Sequence, residues 1–280
     1  MTEKNKAGIH QILDYRVIAE IGRGAASVVY AVSDSKFNVY SLKHVILKGS
    51  KDDRFLEQAE NEVKVSNKLD HPGIRKIHKL HKVRPGWSRT EVAVLMEMLD
   101  ADSLDMLKLE FDDLLNIFTQ VASGLAHMNE RGFVHADMKP TNVMVNEDME
   151  AKIIDLGQAC KIGTIKQRIQ GTPGFMAPEQ ANREEVNEKT DVYNFGATMY
   201  WLLTGKEVPT ARPESGKNAA TLPPPPESIN SEVPKELSEI VMRSIQPNPN
   251  ARINDMNQVL ESLRELQSDL STNGSPALKC

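Results

Sequence analysis

The chain has 280 residues, a formal net charge of -5, and 40% apolar against 26% charged residues, the proportions of a folded protein with one large domain or two small ones. The acidic surplus argues against nucleic-acid binding, which calls for a basic surface. Two cysteines, Cys160 and Cys280, are too few for a disulfide framework or a zinc site, so a reducing compartment, the cytoplasm, is expected; no apolar run reaches membrane-span length, and the polar start lacks the apolar core of a signal peptide.

Residues 1–12 are polar and read as a mobile tail. Strand-like runs follow at 15–21, 28–32 and 39–43, rich in β-branched and aromatic residues and separated by glycine or polar turns. A helix is predicted over 55–69, ended by the turn Asp70-His71-Pro72-Gly73. Strand character returns at 74–83 and 92–98, with Arg84-Pro85-Gly86 as the turn between them. After Asp100 the pattern is mainly helical. Leu114, Phe118, Val121, Leu125 and Met128 recur at the three- and four-residue spacing of one helix face, and Gly132 sits where a helix C-terminal glycine belongs. Residues 191–203 are apolar on most sides, which predicts a central buried helix. Between Gly205 and Pro234, Pro209, Pro213 and the run from Pro223 to Pro226 leave little helix, because proline inside a helix costs about 3 kcal/mol. Leu237, Ile240 and Val241, then Met256, Val259, Leu260 and Leu263, mark two more amphipathic helices, and 268–280 reads as a second tail. The fold class is α+β: a β-rich front third with one helix, then a helical remainder, joined near 97–101.

Three stretches carry chemistry. His135-Ala136-Asp137-Met138-Lys139-Pro140-Thr141-Asn142 is followed by Asp155-Leu156-Gly157 and then by Ala177-Pro178-Glu179. Each alone reads as a turn or loop. In this order and at these spacings they resemble the catalytic loop, magnesium loop and end of the activation segment of a protein kinase of the Hanks Ser/Thr type. The resemblance runs over 15–266 and implies a two-lobed fold, with a β-rich N-lobe at about 15–98 and a helical C-lobe at about 100–266.

The resemblance also implies roles. Ile21-Gly22-Arg23-Gly24-Ala25-Ala26-Ser27, a hairpin turn on its own, would cover the phosphates of ATP with Ile21, Gly22, Gly24 and Ser27, the last in place of the family's third glycine. Lys43, otherwise a solvent-facing strand lysine, would bind phosphate oxygens and a helix carboxylate. Glu62 is the partner at the family's spacing from His71, with Glu57 and Glu60 as competitors on the same helix. Asp137 would accept or orient the proton of the attacking hydroxyl, Lys139 would neutralise γ-phosphate charge, and Asn142 and Asp155 would hold Mg2+. Thr172 is expected against Asp137 and Lys139, a Ser/Thr-kinase feature. Adenine would lie between Val29 and Ser41 on one side and Met144 on the other, bonded to the backbone of Glu97 and Leu99, with Met96 as gatekeeper. Residues 171–179 resemble a protein-substrate docking loop, which small-molecule kinases usually lack, and Glu179 would pair with Arg252. His44, His78, His81 and His127 lack metal-ligand spacing and read as structural or surface residues; Cys160 is at most a redox or alkylation site.

Beyond Ser27, the pattern departs from the family elsewhere. Ala136 replaces the arginine before the catalytic aspartate, and the usual phosphosite, eleven residues before Glu179, is Arg168. With receptor and phosphate both missing, the activation segment is expected to be ordered without phosphorylation, Arg168 offering charge to a carboxylate and Thr164 being the rival phosphosite. Ser66 stands where the family packs an aliphatic side chain, and the stretch after Gly205 has lost most of the family's helix G. The implied function is an ATP- and Mg2+-dependent serine/threonine kinase acting on proteins, with no nucleic-acid or membrane contact in this chain. The motif style resembles bacterial kinases. The alternative is a pseudokinase-like nucleotide-binding or interaction scaffold, favoured by Ser66 alone.

Overall fold

A computed structural model describes residues 11–24, 27–47, 53–83, 90–209 and 222–273. The chain divides into two compact units: Met1–Asn67 with Arg75–Asp100, and Lys68–Ile74 with Ala101–Cys280.

The first unit is one antiparallel sheet with one helix. Its strands are β1 (Gln11–Ile12), β2 (Tyr15–Arg23), β3 (Ser27–Ser33), β4 (Val39–Leu47), β5 (Ile77–Val83) and β6 (Thr90–Glu97), in the order β1-β2-β3-β4-β6-β5. Side chains alternate across a strand, and β6 is apolar at successive positions, so it is buried on both faces. Ala93 and Leu95 join Tyr30, Val32 and Leu42 in one core cluster. Val92, Val94 and Met96 join Val45 and Ala59 in the other, with Phe55, Leu56 and Val63 packed against it. Those last four helix residues belong to α1 (Asp53–Ser66), which therefore covers the second face.

The second unit is built on α2 (Phe111–Glu130), α4 (Glu188–Thr204), α6 (Lys235–Ser244) and α7 (Met256–Asn273), with the short α3 (Pro178–Asn182) and α5 (Pro226–Ile229). All five residues predicted for the α2 face are buried, as are Tyr193, Phe195, Met199 and Tyr200 of α4. Gly196 lets α4 and α6 approach: a Cβ there would come within 2.6 Å of the Ser244 Cβ. Gly132, at φ +79°, ends α2 in the left-handed conformation that glycine adopts without a steric penalty. Short strands fix the loops between helices: β9 (Val143–Val145) pairs with β7 (Asp102–Ser103) and β10 (Ala151–Ile153), β8 (Phe133–Val134) with β11 (Cys160–Lys161), and β12 (Thr164–Ile165) with β13 (Glu185–Val186).

Four expectations change. Residues 68–74 belong to the helical unit, because Asp70 N–H donates to His127 Nε2 at 3.2 Å and Ile153 N–H donates to the Gly73 carbonyl at 2.8 Å, so β5 starts at Ile77 and α1 stops at Ser66. The N-terminal tail contains β1, whose Gln11 and Ile12 pair with Arg16 and Tyr15. The C-terminal tail begins as helix, since buried Leu266 and half-buried Leu270 extend the α7 stripe. The proline-rich stretch contains α5, opened by Pro226 at a first-turn position that needs no N–H donor. Residues 1–10, Ala25, Ala26, Arg84-Pro85-Gly86, Pro213 and 274–280 with Cys280 lie outside the described residues. Among the described residues, no helix is long and apolar enough to cross a membrane.

Candidate active site

In the first unit, strand alternation decides where Lys43 points. It pairs directly with Val94 across β4 and β6, and cross-strand partners share a face. Val94 faces α1, so Lys43 does too. Its Nζ lies 3.0 Å from Oε2 of Glu62, which is 3% exposed. Of the competitors, Glu60 pairs with Lys82 at 2.6 Å and Glu57 is exposed. Val29 pairs with Lys43 across β3 and β4 and shares that face. Ser41 is buried opposite Met96, also buried, and its hydroxyl donates to the Met98 sulfur at 3.3 Å. Gly22 lies across from Val29, and Gly24 N–H donates to the Ser27 carbonyl at 2.8 Å, closing the turn beside exposed Ile21. β6 ends at Glu97, two residues before half-buried Leu99. Ser66 is buried, and its hydroxyl accepts the Ile77 amide at 3.3 Å, tying the end of α1 to β5.

In the second unit, the loop after β8 is held by Asp191, which the sequence reading treated only as the start of an apolar helix. This fully buried carboxylate accepts the His135 and Ala136 amides and the Asn129 side-chain amide, each at 2.9 Å. Burial pushes its pKa up, and the field of His135 and the three donors oppose that rise. Ala136 takes φ +59° as the loop turns back, which leaves Asp137 8% exposed. Thr172 Oγ donates to Asp137 Oδ1 at 2.9 Å, Lys139 Nζ donates to Thr172 Oγ at 2.9 Å, and Lys139 Nζ lies 3.5 Å from Asp137 Oδ2.

Asn142 is buried, and its side-chain nitrogen donates to the Asp137 carbonyl at 2.8 Å, so the amide oxygen is the atom it can offer a cation. Its backbone carbonyl accepts the Ile154 amide at 2.9 Å, which aligns it with Asp155. Asp155 stands at φ +61° with Oδ1 accepting Gly157 N–H at 3.2 Å. A non-glycine residue in this region costs about 1 kcal/mol or more. Among the described residues, no three His, Cys, Asp or Glu side chains cluster to hold a metal. Two oxygen donors suit a hard divalent ion that takes its remaining ligands from water and phosphate. Met144 lies half-buried on β9.

The activation segment contains further contacts. Arg168 is exposed, and the lysine two residues earlier turns inward: Lys166 Nζ donates to the Gln158 carbonyl at 2.6 Å. Burial pulls its pKa down, and the fields of Cys160, Asp137 and Asp191 oppose that. Burial also pushes the Cys160 thiol up, away from the reactive thiolate. Gln180 joins three strands of chain: its nitrogen donates to the Ala136 carbonyl at 2.7 Å, and its oxygen accepts from Ala177 N–H at 3.0 Å and Asn194 Nδ2 at 2.8 Å. Glu179 and Arg252 form a buried bidentate pair at 2.7 and 2.8 Å. Asp191, Gln180, Lys166 and, in the first unit, Arg75 were missed in the sequence. The signal for Asp191 was a charge at the edge of an apolar run; Arg75, next to Lys76, had none.

The protein kinase domain family matches residues 15–263. Curated relatives include a probable serine/threonine-protein kinase of Clostridium acetobutylicum, 28% identical over 91% of this chain and 40% of the relative. The serine/threonine-protein kinase cds1 of Schizosaccharomyces pombe is 27% identical over 86% of this chain and 56% of its own length. The serine/threonine-protein kinase PknA of Mycobacterium tuberculosis is 26% identical over 85% and 58%. The chain spans about half the length of the curated relatives it matches. With the family pattern covering nearly all of both units, the chain belongs to the protein kinase family.

Proposed function

We propose that the chain is the catalytic domain, over 15–266, of a serine/threonine kinase that transfers the γ-phosphoryl group of ATP to hydroxyls of cytoplasmic proteins. The observation that carries this reading is the Asp137, Lys139 and Thr172 cluster. A threonine hydroxyl stands 2.9 Å from a carboxylate that can take its proton and 2.9 Å from an ammonium. A substrate hydroxyl taking the place of Thr172 would meet a base and a cation in hydrogen-bond reach. Phosphoryl transfer consists mostly of positioning and charge neutralisation, which these groups supply.

Lys43, held by Glu62, would bind α- and β-phosphate oxygens under a cover made by Ile21, Gly22, Gly24 and Ser27. Asn142 and Asp155 would hold Mg2+, which when bound neutralises phosphate charge. Adenine would contact Val29, Ser41, Met96 and Met144, with the backbone of Glu97 and Leu99. Residues 171–179 would seat the protein substrate. The names of the relatives support the Ser/Thr assignment. The scaffold alternative rested on Ser66, whose hydroxyl instead gives α1 a polar tie to β5.

The test is incubation with γ-labelled ATP, Mg2+ and a generic protein substrate. The wild type should label the substrate and Asp137→Asn should lose at least about 10²-fold of the rate. Equal labelling by both would sink the reading.

A further inference from the structure

Arg75 stands at the base of β5, in a run that is otherwise Ile74, Lys76 and Ile77. Its guanidinium turns to the end of β6. Nε donates to the Glu97 backbone carbonyl at 3.0 Å and Nη2 donates to the same oxygen at 2.9 Å. Glu97 is also tied to the next residue of the same segment through its own N–H and side chain. Glu97 N–H donates to the Lys76 carbonyl at 2.9 Å, and Lys76 N–H donates to Glu97 Oε2 at 3.1 Å. Burial pulls the arginine pKa down while the Glu62 and Glu97 carboxylates oppose it, so the guanidinium stays charged beside two anions.

A carbonyl oxygen has two lone pairs, and both here face N–H donors. In the kinase reading, on which this inference rests, the Glu97 carbonyl is the acceptor for the 6-amino group of adenine. We propose that Arg75 determines base specificity: by occupying the Glu97 carbonyl it withdraws the acceptor that favours adenine and presents donors to a 6-oxopurine, so that inosine and guanosine nucleotides are accepted alongside adenosine nucleotides. A 6-amino group must compete with a charged donor for one oxygen and brings its own N–H groups towards a cation. A 6-oxo group accepts from the guanidinium or from Leu99 N–H, and the adjacent N1–H can donate to the Leu99 carbonyl. A polar group left unmatched in such a site costs more than a matched one gains, so the preference should be measurable.

The experiment is calorimetric titration of the whole chain with Mg·ADP, Mg·IDP and Mg·GDP, which needs no phosphoryl transfer. The wild type should bind the three within about tenfold of one another, and Arg75→Leu should shift the ratio towards ADP by about tenfold or more. Arg75→Lys keeps a charge beside Glu62 but cannot make the two-point donation, so it should shift the ratio in the same direction; it is the arm to read if the leucine variant melts early. A wild type that prefers ADP by more than about a hundredfold, unchanged in both variants, would overturn the role of Arg75 and leave the kinase reading intact. Absence of binding by any of the three nucleotides would overturn both.

Discussion

Arg252 uses all five of its N–H donors. Two go to Glu179, and the others reach the carbonyls of Gln246, Lys189 and Pro247 at 2.6, 2.9 and 3.1 Å. Its guanidinium carbon lies 4.9 Å from the Tyr193 ring centre, and Tyr193, pushed up to about 12 by burial, stays neutral. Removing one partner of a buried pair strands the other, at a cost of about 3–5 kcal/mol. Arg252→Ala should therefore unfold at clearly lower denaturant. Arg252→Lys should recover little of the loss, because an ammonium cannot bridge both carboxylate oxygens. A double-mutant cycle with Glu179→Gln that shows no coupling would contradict the pairing. Asp137, Lys139, Asn142 and Asp155 were legible in the sequence because they fall in two short motifs, 135–142 and 155–157, that carry the family resemblance. Asp191 and Gln180 were not, because their partners lie 55 and 44 residues away and only folding brings them together.

At the scale of elements, the activation segment carries its own cation. Ala136 offers no charge to a phosphate, and Lys166 is half-buried where its field reaches Asp137 and Asp191. Phosphatase-treated enzyme, shown phosphate-free by intact mass, should keep its initial rate, and Thr164→Ala should stay within about twofold of it. Lys166→Met should lower the rate by about tenfold, equivalent to about 1.4 kcal/mol on the barrier. Enzyme silent until Thr164 is phosphorylated would overturn this. The turn at 68–74 gives a second element-scale prediction. His71 Nδ1 accepts Gly73 N–H at 3.0 Å, His127 Nε2 accepts Asp70 N–H at 3.2 Å, and the rings lie 5.2 Å apart. Burial lowers both pKa values, helped by His127 for His71 and by Arg131 for His127, while Glu130 and Asp70 oppose the latter. The folded state thus takes up protons at lower pH than the unfolded chain. This stability is complete above the ordinary histidine range, near pH 6.5, and is lost as pH falls through it towards the folded values. The melting temperature should drop between pH 7 and 5, and His127→Gln, which keeps an acceptor, should flatten the drop. An unchanged slope would show that the pair does not couple folding to pH.

Over the whole molecule, the two classes of element follow from two periodicities. Strand-like runs in 15–47 and the continuous apolar run in 92–96 build the sheet, and the period of 3.6 in 111–130 and 256–273 builds the helices. The boundary was harder to read. Residues 68–74 interrupt the first unit and belong to the second, because their hydrogen bonds go to α2 and β10, and no local pattern announces such contacts. The short strands were missed for the same reason: two-residue pairings such as β8 with β11 have no periodicity to detect. The residues of the proposed site divide in the same way, with Lys43 and Glu62 in the first unit and Asp137, Lys139, Asn142, Asp155 and Thr172 in the second. Lys43→Met and Asp155→Asn should each lose most transfer while melting as the wild type does. A normal rate in the Asp155 variant would remove the metal assignment. The most direct test of the central claim is mass spectrometry of a Ser-, Thr- and Tyr-containing peptide library after incubation with Mg·ATP. Phosphate on serine and threonine, absent with Asp137→Asn, is the predicted result; unmodified peptides, with ATP nonetheless bound, would contradict it.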